Sequence, residues 1–502
     1  MNAVLKAVPK AKPLPRIQVK AGELPKMMDA AEHALGATLT VFDKGQVLVS
    51  LNPHTGSSAP MSPAVCRVEM ARAATWFKEV TTSRGTWDEP ANPPGALAQA
   101  LVERQDWRGI PKLKTVTDHP LWLAPGRMLA QGYDPQSQIY GAFQEDFHAV
   151  HEDATREEAE EALCKLRDVV RTFPWAEPHD EAAALATMLA CVSRPAMKKA
   201  PLILISAPAP GSGKAVLGKA LARFADKNDV TSGVLPADDV EIEKRLISSL
   251  LESPPVLLFE EIGDGKAGQE IDSASLRNLA TAEIMEGRYL GHSKKALVST
   301  CTNVIITANN ATAGADSARR ILEIRLDPRC ETPAARVFKG PMPSSLVLSH
   351  RQELVHAVMT VQAAFLHAGW PGLDDLTPVS DFDDWHMWCR GPINWLMGID
   401  PASRLLKAQK TDPRAGEVAG VLEAVFALKG PSHWKASDLL KMDGGVYPAL
   451  EDAMGLRPGK EPSAKMVGRW LQGAKDRIAG GHVLREHSHA QGSVTWKVVR
   501  AD

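Results

Sequence analysis

The chain has 502 residues, with 58 Lys and Arg against 60 Asp and Glu, for a formal net charge of −2. That length suggests about three domains. Its 44% hydrophobic and 24% charged residues are ordinary for a globular protein, which excludes disorder throughout. The charge balance excludes a generic polycation, so nucleic-acid binding would need local patches.

Residues 1–26 are rich in Pro and Lys. Lys6, Lys10, Lys12, Arg16, Lys20 and Lys26 face one acid, Glu23, which predicts a mobile basic tail, either a solubilising arm or a contact for DNA. Residues 27–150 read as a mixed α+β domain. Thr38 to Phe42 and Gln46 to Leu51 flank Asp43-Lys44-Gly45, a hairpin pattern, and Pro94 to Arg104 reads as a helix. No spaced Asp-x-Asp on a strand suggests a polymerase or primase centre in this part of the chain.

Helices are expected over 152–195. Thr155-Arg156-Glu157-Glu158 has the form of a capping box. Ala159, Ala162, Leu163, Leu166, Val169, Val170 and Phe173 keep one apolar face, Pro174 ends it, and Asp180 is placed to cap the next helix. From 196 to about 330, short apolar runs alternate with helical stretches, the rhythm of a parallel α/β sheet.

Leu202 to Ile205 is a buried-strand run. It leads through Ser206-Ala207-Pro208-Ala209-Pro210-Gly211-Ser212-Gly213-Lys214-Ala215 into a helical stretch from Val216 to Phe224. Strand, Gly-rich turn and helix are the context a phosphate loop requires, in which backbone N–H groups and a helix N-terminus wrap an anion; the alternative is a plain Gly-Ser-Gly linker turn. Pro210 to Val216 would line the phosphate loop, with Lys214 on the β- and γ-phosphates. Pro208 replaces the usual first Gly, and Ala215 replaces the Ser or Thr that holds Mg²⁺. Losing that hydroxyl costs about 1.5–3 kcal/mol, and a water can take its place.

Val256 to Phe259 is the next apolar run, ending in Glu260-Glu261. Glu260 would take the Mg²⁺ side and Glu261 would polarise the attacking water. The blander alternative is a strand leaving the core through an acidic turn. Val304 to Ala308 ends in Asn309-Asn310, where Asn309 would orient water or touch the γ-phosphate. Arg319-Arg320 then suits an arginine finger reaching a neighbouring subunit's nucleotide, or else is a surface pair. Lys, two acids, Asn and Arg, in that order, make the layout of an oligomeric ring ATPase. Between the acids and the Asn, Arg288 to Val298 reads as a hairpin with a basic tip. In a ring it would face the channel, where Arg288, His292, Lys294 and Lys295 would grip a DNA backbone.

Residues 345–425 read as helical, with Trp370, Trp385, Trp388 and Trp395 as core. In the last unit, 463–479 reads as an amphipathic helix. Met466, Val467, Trp470, Leu471, Ala474 and Ile478 would be buried, and Lys465, Arg469 and Gln472 would face outward. A hairpin through Val483–Arg485 and Val494–Val499 follows. Helix and wing predict a winged helix. Its nine basic and four acidic residues from 457 onward, a local +5, favour DNA phosphates, although such units also dock proteins. His482, His487 and His489 are too loosely spaced for a metal site.

The six cysteines form no C-x-x-C pair and read as buried thiols in a reducing compartment. No apolar run approaches ~18 residues and no secretory pattern opens the chain, so a cytosolic address is expected.

These motifs resemble the superfamily 3 helicases, a branch of the AAA+ ATPases. They are most similar to the helicase part of phage-type primase-helicases, the bifunctional primase/polymerase proteins of prophages and mobile elements. The matching stretches are 200–222, 254–262, 287–295, 304–310 and 316–338, with 132–135, 173–175 and 385–401 outside them. The resemblance implies an AAA+ core over 151–340, a helical extension over 341–428 and a winged helix over 429–502. It also implies an ATP- and Mg²⁺-dependent hexamer that translocates on single-stranded or forked DNA in a bacterial or phage-infected cell. By that likeness Lys214 is the phosphate lysine, Glu260 and Glu261 the second motif, Asn309 the sensor, and Arg320 or Arg319 the finger. The primase domain of such proteins is not recognisable, so priming would fall to a partner. A nucleotide-gated DNA scaffold or loader with weak hydrolysis is the alternative that Ala215 suggests.

Overall fold

The computed structural model describes residues 13–501 except 144–146, 229, 231, 264, 266–267, 289–294, 315, 336–339, 380, 411–412, 443–444, 457–460 and 491–492. The chain divides into two compact units, 1–313 with 320–404, and 314–319 with 405–502. The division falls at Arg404/Leu405 rather than near residue 428, and the boundary expected near 150 lies inside the first unit.

The reason is a set of bonds that tie the stretch before 150 to the region behind it. Trp122 Nε1 donates to the Met359 carbonyl at 3.0 Å. Lys114 Nζ donates to the Pro195 carbonyl at 2.9 Å. The buried Arg351 guanidinium reaches Asp118 at 2.7 Å.

The expected basic tail stops short of residue 26. Arg16–Gln18 is a strand pairing in parallel with Thr75–Phe77, where Ile17 is buried, and a helix spans Leu24–Ala37. Residues 1–12 lie outside the described residues. The expected hairpin is present, with Val41–Asp43 antiparallel to Leu48–Leu51, and Gly95–Glu103 is helical.

The centre of the first unit is a five-stranded parallel sheet. Its strands are β1 (Leu202–Ala207), β2 (Ser232–Leu235), β3 (Val256–Ile262), β4 (Asn303–Asn309) and β5 (Ile321–Arg325), in the spatial order β2-β3-β4-β1-β5. Helix α1 (Lys214–Ala225) follows β1, and α2 (Asp239–Glu252) follows β2. Every residue of β1 is buried, as are the first six of β4. A strand covered on both faces needs apolar residues at successive positions, which is why these two read as continuous runs. The order puts β4 between the strand that feeds the Gly-rich turn and the strand that carries the acids. The chain moves from β1 out to β2, returns through β3 and β4, and then crosses to β5. The reversal lies beside β1, where open α/β sheets form a crevice at their carboxyl ends.

Ahead of the sheet, Thr155 caps Arg156–Val170 with the expected reciprocal box. The next helix, Pro178–Ser193, is capped by Glu177 rather than Asp180. Asp180 sits at the third helical position and bonds back to Glu177 N at 2.9 Å. The same buried carboxylate accepts from Arg325 N of β5 at 2.9 Å and forms a two-pronged pair with Arg404 at 2.7 and 2.8 Å. Asp180→Ala would strand Arg404 and two backbone donors. Breaking such a buried pair costs about 3–5 kcal/mol. We expect the unfolding transition of the first unit in urea to move to clearly lower concentration, with a smaller shift for Asp180→Asn.

Helices fill much of 343–429, interrupted by a π-helical turn at His386–Arg390. Trp385 and Trp388 are core as expected, but Trp370 is 42% exposed at a left-handed turn (φ 58°). Four of the six thiols are buried, whereas Cys164 and Cys330 are exposed.

The second unit holds a four-stranded sheet and the helices that cover it. The sheet's long antiparallel pair is His482–Ala490 with Ser493–Arg500. Helix Ala464–Ala474 buries Val467, Leu471 and Ala474 and leaves Lys465, Arg469 and Gln472 exposed. Lys475 leaves helical backbone (ψ 137°), so the helix ends before Ile478. Ile478 lies instead on a short strand and is 69% exposed. No helix among the described residues is long and apolar enough to cross a membrane.

Candidate nucleotide site

At the carboxyl edge of the parallel sheet lies a cleft of about 530 Å³. Its floor is the turn from Pro210 to Val216. Gly213 caps α1 in a left-handed conformation (φ 95°), and Gly211 (φ 76°) approaches Ala334 so closely that a Cβ would sit 2.7 Å from the Ala334 methyl. Both positions exclude a side chain. Ser212 Oγ closes the turn on the Ala209 carbonyl at 2.6 Å. The first backbone N–H groups of α1 have no partner within the helix and add positive potential at this end.

Lys214 is the first residue of α1 and is only 8% exposed. Its ammonium donates to Asn309 Oδ1 at 2.7 Å and to the Ala209 carbonyl at 3.1 Å. Burial lowers its pKa from the ordinary lysine value, and its hydrogen-bonding partners are neutral oxygens. A cation held this way gains from an incoming anion.

Asn309 ends β4, which pairs with β1 on one side and β3 on the other. Asn310 takes a left-handed turn (φ 48°), and its amide donates to the Pro208 carbonyl at 3.3 Å. Glu260 and Glu261 come off β3, and both line the cleft. Thr307 Oγ1 donates to the Glu260 carbonyl at 3.1 Å, fixing the two strand ends together.

The two carboxylates differ. Glu260 Oε1 lies 2.9 Å from Lys219 Nζ of α1 but, for want of angle, accepts no hydrogen bond there. Glu261 is exposed and forms no ion pair among the described residues. Lys219 is the residue that motif reading misses. It lies five positions beyond Lys214, on the part of α1 that faces β3, and nothing local marks it. Ser232, Gly233 and Val234 of β2, with Gln269 and Thr307, also line the cleft without a sequence motif.

These groups fit a divalent ion bound chiefly through phosphate oxygens. Mg²⁺ needs only one or two carboxylates beside substrate phosphates and waters. Glu260 supplies one oxygen that is buried and short of hydrogen bonds, and Ala215 supplies none. Among the described residues no cluster of three or more His, Cys, Asp or Glu could hold a metal on protein ligands alone.

Arg320 is partly buried and Arg319 exposed, both on the short helical turn Ala318–Arg320 before β5. Arg320 is not part of its own chain's cleft lining among the described residues, and Arg319 groups with the second unit.

The nucleic-acid candidates fall in two places. In the first unit, Ile284–Arg288 pairs antiparallel with Lys295–Ser299, with Arg288 in register with Lys295. The expected tip, including His292 and Lys294, lies outside the described residues. In the second unit, Lys465, Arg469 and Gln472 border a groove of about 550 Å³ between their helix and the hairpin residue Trp496, with Lys435 on its rim.

No family model matches the chain, and no curated protein matches it. Among solved structures it is similar to the C-terminal region of NrS-1 in an apo form. One such structure shows 10% identity and a TM-score of 0.40, covering 93% of this chain and 99% of that one. A second has a TM-score of 0.36 at 10% identity, covering 88% and 100%. A JCV helicase structure matches over 55% of this chain and 73% of its own, at 14% identity and a TM-score of 0.20. With TM-scores below 0.5, these likenesses assign neither an activity nor a partner.

Proposed function

We propose that the chain is an ATP-hydrolysing DNA helicase of a phage or mobile element, working as a ring, a hexamer by its sequence likeness, on single-stranded or forked DNA. The observation that carries this reading is convergence. Residues from three separate strand ends, Lys214 after β1, Glu260 and Glu261 on β3, and Asn309 on β4, line one cleft. In this reading the Pro210–Val216 turn and Lys214 hold the triphosphate, and the lysine exchanges its Asn309 partner for phosphate oxygens. Glu260 would hold Mg²⁺, which when bound would supply positive charge against the phosphate oxygens. Glu261 takes a proton from the attacking water, and Asn309 orients that water. Arg320 or Arg319 acts on a neighbouring subunit's nucleotide. The central hairpin, with Arg288, His292, Lys294 and Lys295, and the winged-helix-like unit, with Lys465 and Arg469, hold DNA. A separate primase is the expected replication partner.

The test is ATP hydrolysis with Mg²⁺, measured with and without single-stranded DNA. We expect turnover that DNA stimulates; no hydrolysis under either condition would refute the motor reading. Two observations favour a second reading, a nucleotide-gated DNA scaffold or loader. Ala215 offers no metal ligand, and Lys219 competes for Glu260. Ala215→Thr separates the two. If the loop is attenuated, the added hydroxyl should raise the rate by about 10- to 100-fold, the equivalent of the 1.5–3 kcal/mol of a bond to a charged centre. An unchanged, substantial rate would show that the motor works without that ligand.

A further inference from the structure

A second cavity, of about 320 Å³, lies in the first unit away from the nucleotide cleft. One wall is the N-terminal hairpin turn, Asp43 to Gln46. Another is the base of the central hairpin, including Ile284, Leu297 and Ser299. The two are locked together. Leu297 N donates to the Gly45 carbonyl at 3.3 Å, and a Cβ on Gly45 (φ 62°) would lie 1.5 Å from the Leu297 carbonyl oxygen. Only glycine permits this approach.

Four lysines line the cavity, Lys44, Lys112, Lys114 and Lys198, against two acids, Asp43 and Glu283. Lys44 is the unusual one. It is 7% exposed, and its ammonium donates to Ser58 Oγ at 3.0 Å. Among the described residues no carboxylate comes within ion-pair distance of it. Burial pushes its pKa down to about 8, opposed only by the more distant Glu252. Asp43 forms no ion pair with Lys44. The Asp43 carboxylate accepts from Gln46 N at 2.9 Å; burial raises its pKa, and the nearby Lys112 charge acts in the opposite sense. Lys114 spends one donor on the Pro195 carbonyl. A buried ammonium without a counter-charge is costly to keep, and the cost is relieved by proton loss or by an anion. Three further lysines around the same space favour the anion.

We propose that this cavity is a binding site for a phosphate group, with Lys44 as its buried anchor and Lys112 and Lys198 at its mouth. Its place at the root of the hairpin suits the backbone phosphate of a nucleic-acid strand. A free phosphate or nucleotide has the same chemistry. The site is independent of the nucleotide cleft, so it stands or falls without ATP.

The test uses the full chain without ATP and two variants, Lys44→Met and Lys112→Gln/Lys198→Gln. Lys44→Met removes an uncompensated charge while keeping the length of the side chain, so its melting temperature should hold or rise. The probes are fluorescein-labelled oligo(dT) of 20 nucleotides, titrated at several salt concentrations, and inorganic phosphate followed by its effect on melting temperature. If the ligand is a nucleic-acid strand, each variant should bind oligo(dT) about tenfold more weakly, with the salt slope reduced by about one for each DNA phosphate left without its lysine. If it is a free phosphate, oligo(dT) binding should hold, while phosphate-induced stabilisation is lost in Lys44→Met. The proposal is overturned if affinity, salt slope and phosphate stabilisation all match the parent chain in both variants.

Discussion

Lys214→Ala should lower ATP hydrolysis by about 10²–10³ and weaken ATP binding by about 10- to 100-fold. The binding term follows from losing hydrogen bonds between an ammonium and phosphate, worth about 1.5–3 kcal/mol. The larger loss of rate follows because the same cation must meet charge that grows in the transition state, where removing one aimed donor lowers turnover by about 10²–10³. The fold should survive. Lys214 is at the first position of α1, where its backbone N–H has no helical partner, and its side chain packs against cleft groups rather than the apolar core. Phosphate release and thermal unfolding, measured on the same preparation, check both halves. A variant that hydrolyses ATP at the parent rate would remove Lys214 from the site.

Glu261→Gln should behave differently. Binding of ATP should stay within a few-fold of the parent, while hydrolysis falls by about 10²–10⁴, the range for losing a general base. The structure separates this residue from its neighbour. Glu260 is drawn to Lys219, whereas Glu261 is exposed in the cleft and free of ion pairs among the described residues. An uncommitted carboxylate is the one able to accept a proton. Equal loss of binding and rate in Glu261→Gln would mean that it holds the nucleotide instead.

Much of the central sheet is legible in the sequence, for a physical reason. β1, β3 and β4 are central strands, and covered strands must be apolar at nearly every position. The turn before α1 is legible because only glycine serves at Gly211 and Gly213. The Thr155 box is legible because it is local chemistry. β2 is not, since Ser232-Gly233-Val234-Leu235 is an edge strand with one buried residue. Lys219 is not, because its meaning depends on which face of α1 meets β3. Asp180 illustrates the limit of a local rule. It lies near a helix start and can cap, but tertiary partners, Arg325 N and Arg404, set its role. The tail and Trp370 fail in opposite senses. Ile17, inside a basic stretch, finds a parallel partner, and Trp370, inside an apolar series, sits at an exposed turn. Periodicity does not report either pairing or turns.

The measurement that bears most directly on this account is equilibrium binding of a fluorescent ATP analogue to the full chain in Mg²⁺, with displacement by ATP. The account predicts saturation at one nucleotide per chain, displacement by ATP, and a markedly weaker curve for Lys214→Ala. Failure to bind at millimolar nucleotide, or binding that Lys214→Ala leaves unchanged, would contradict it.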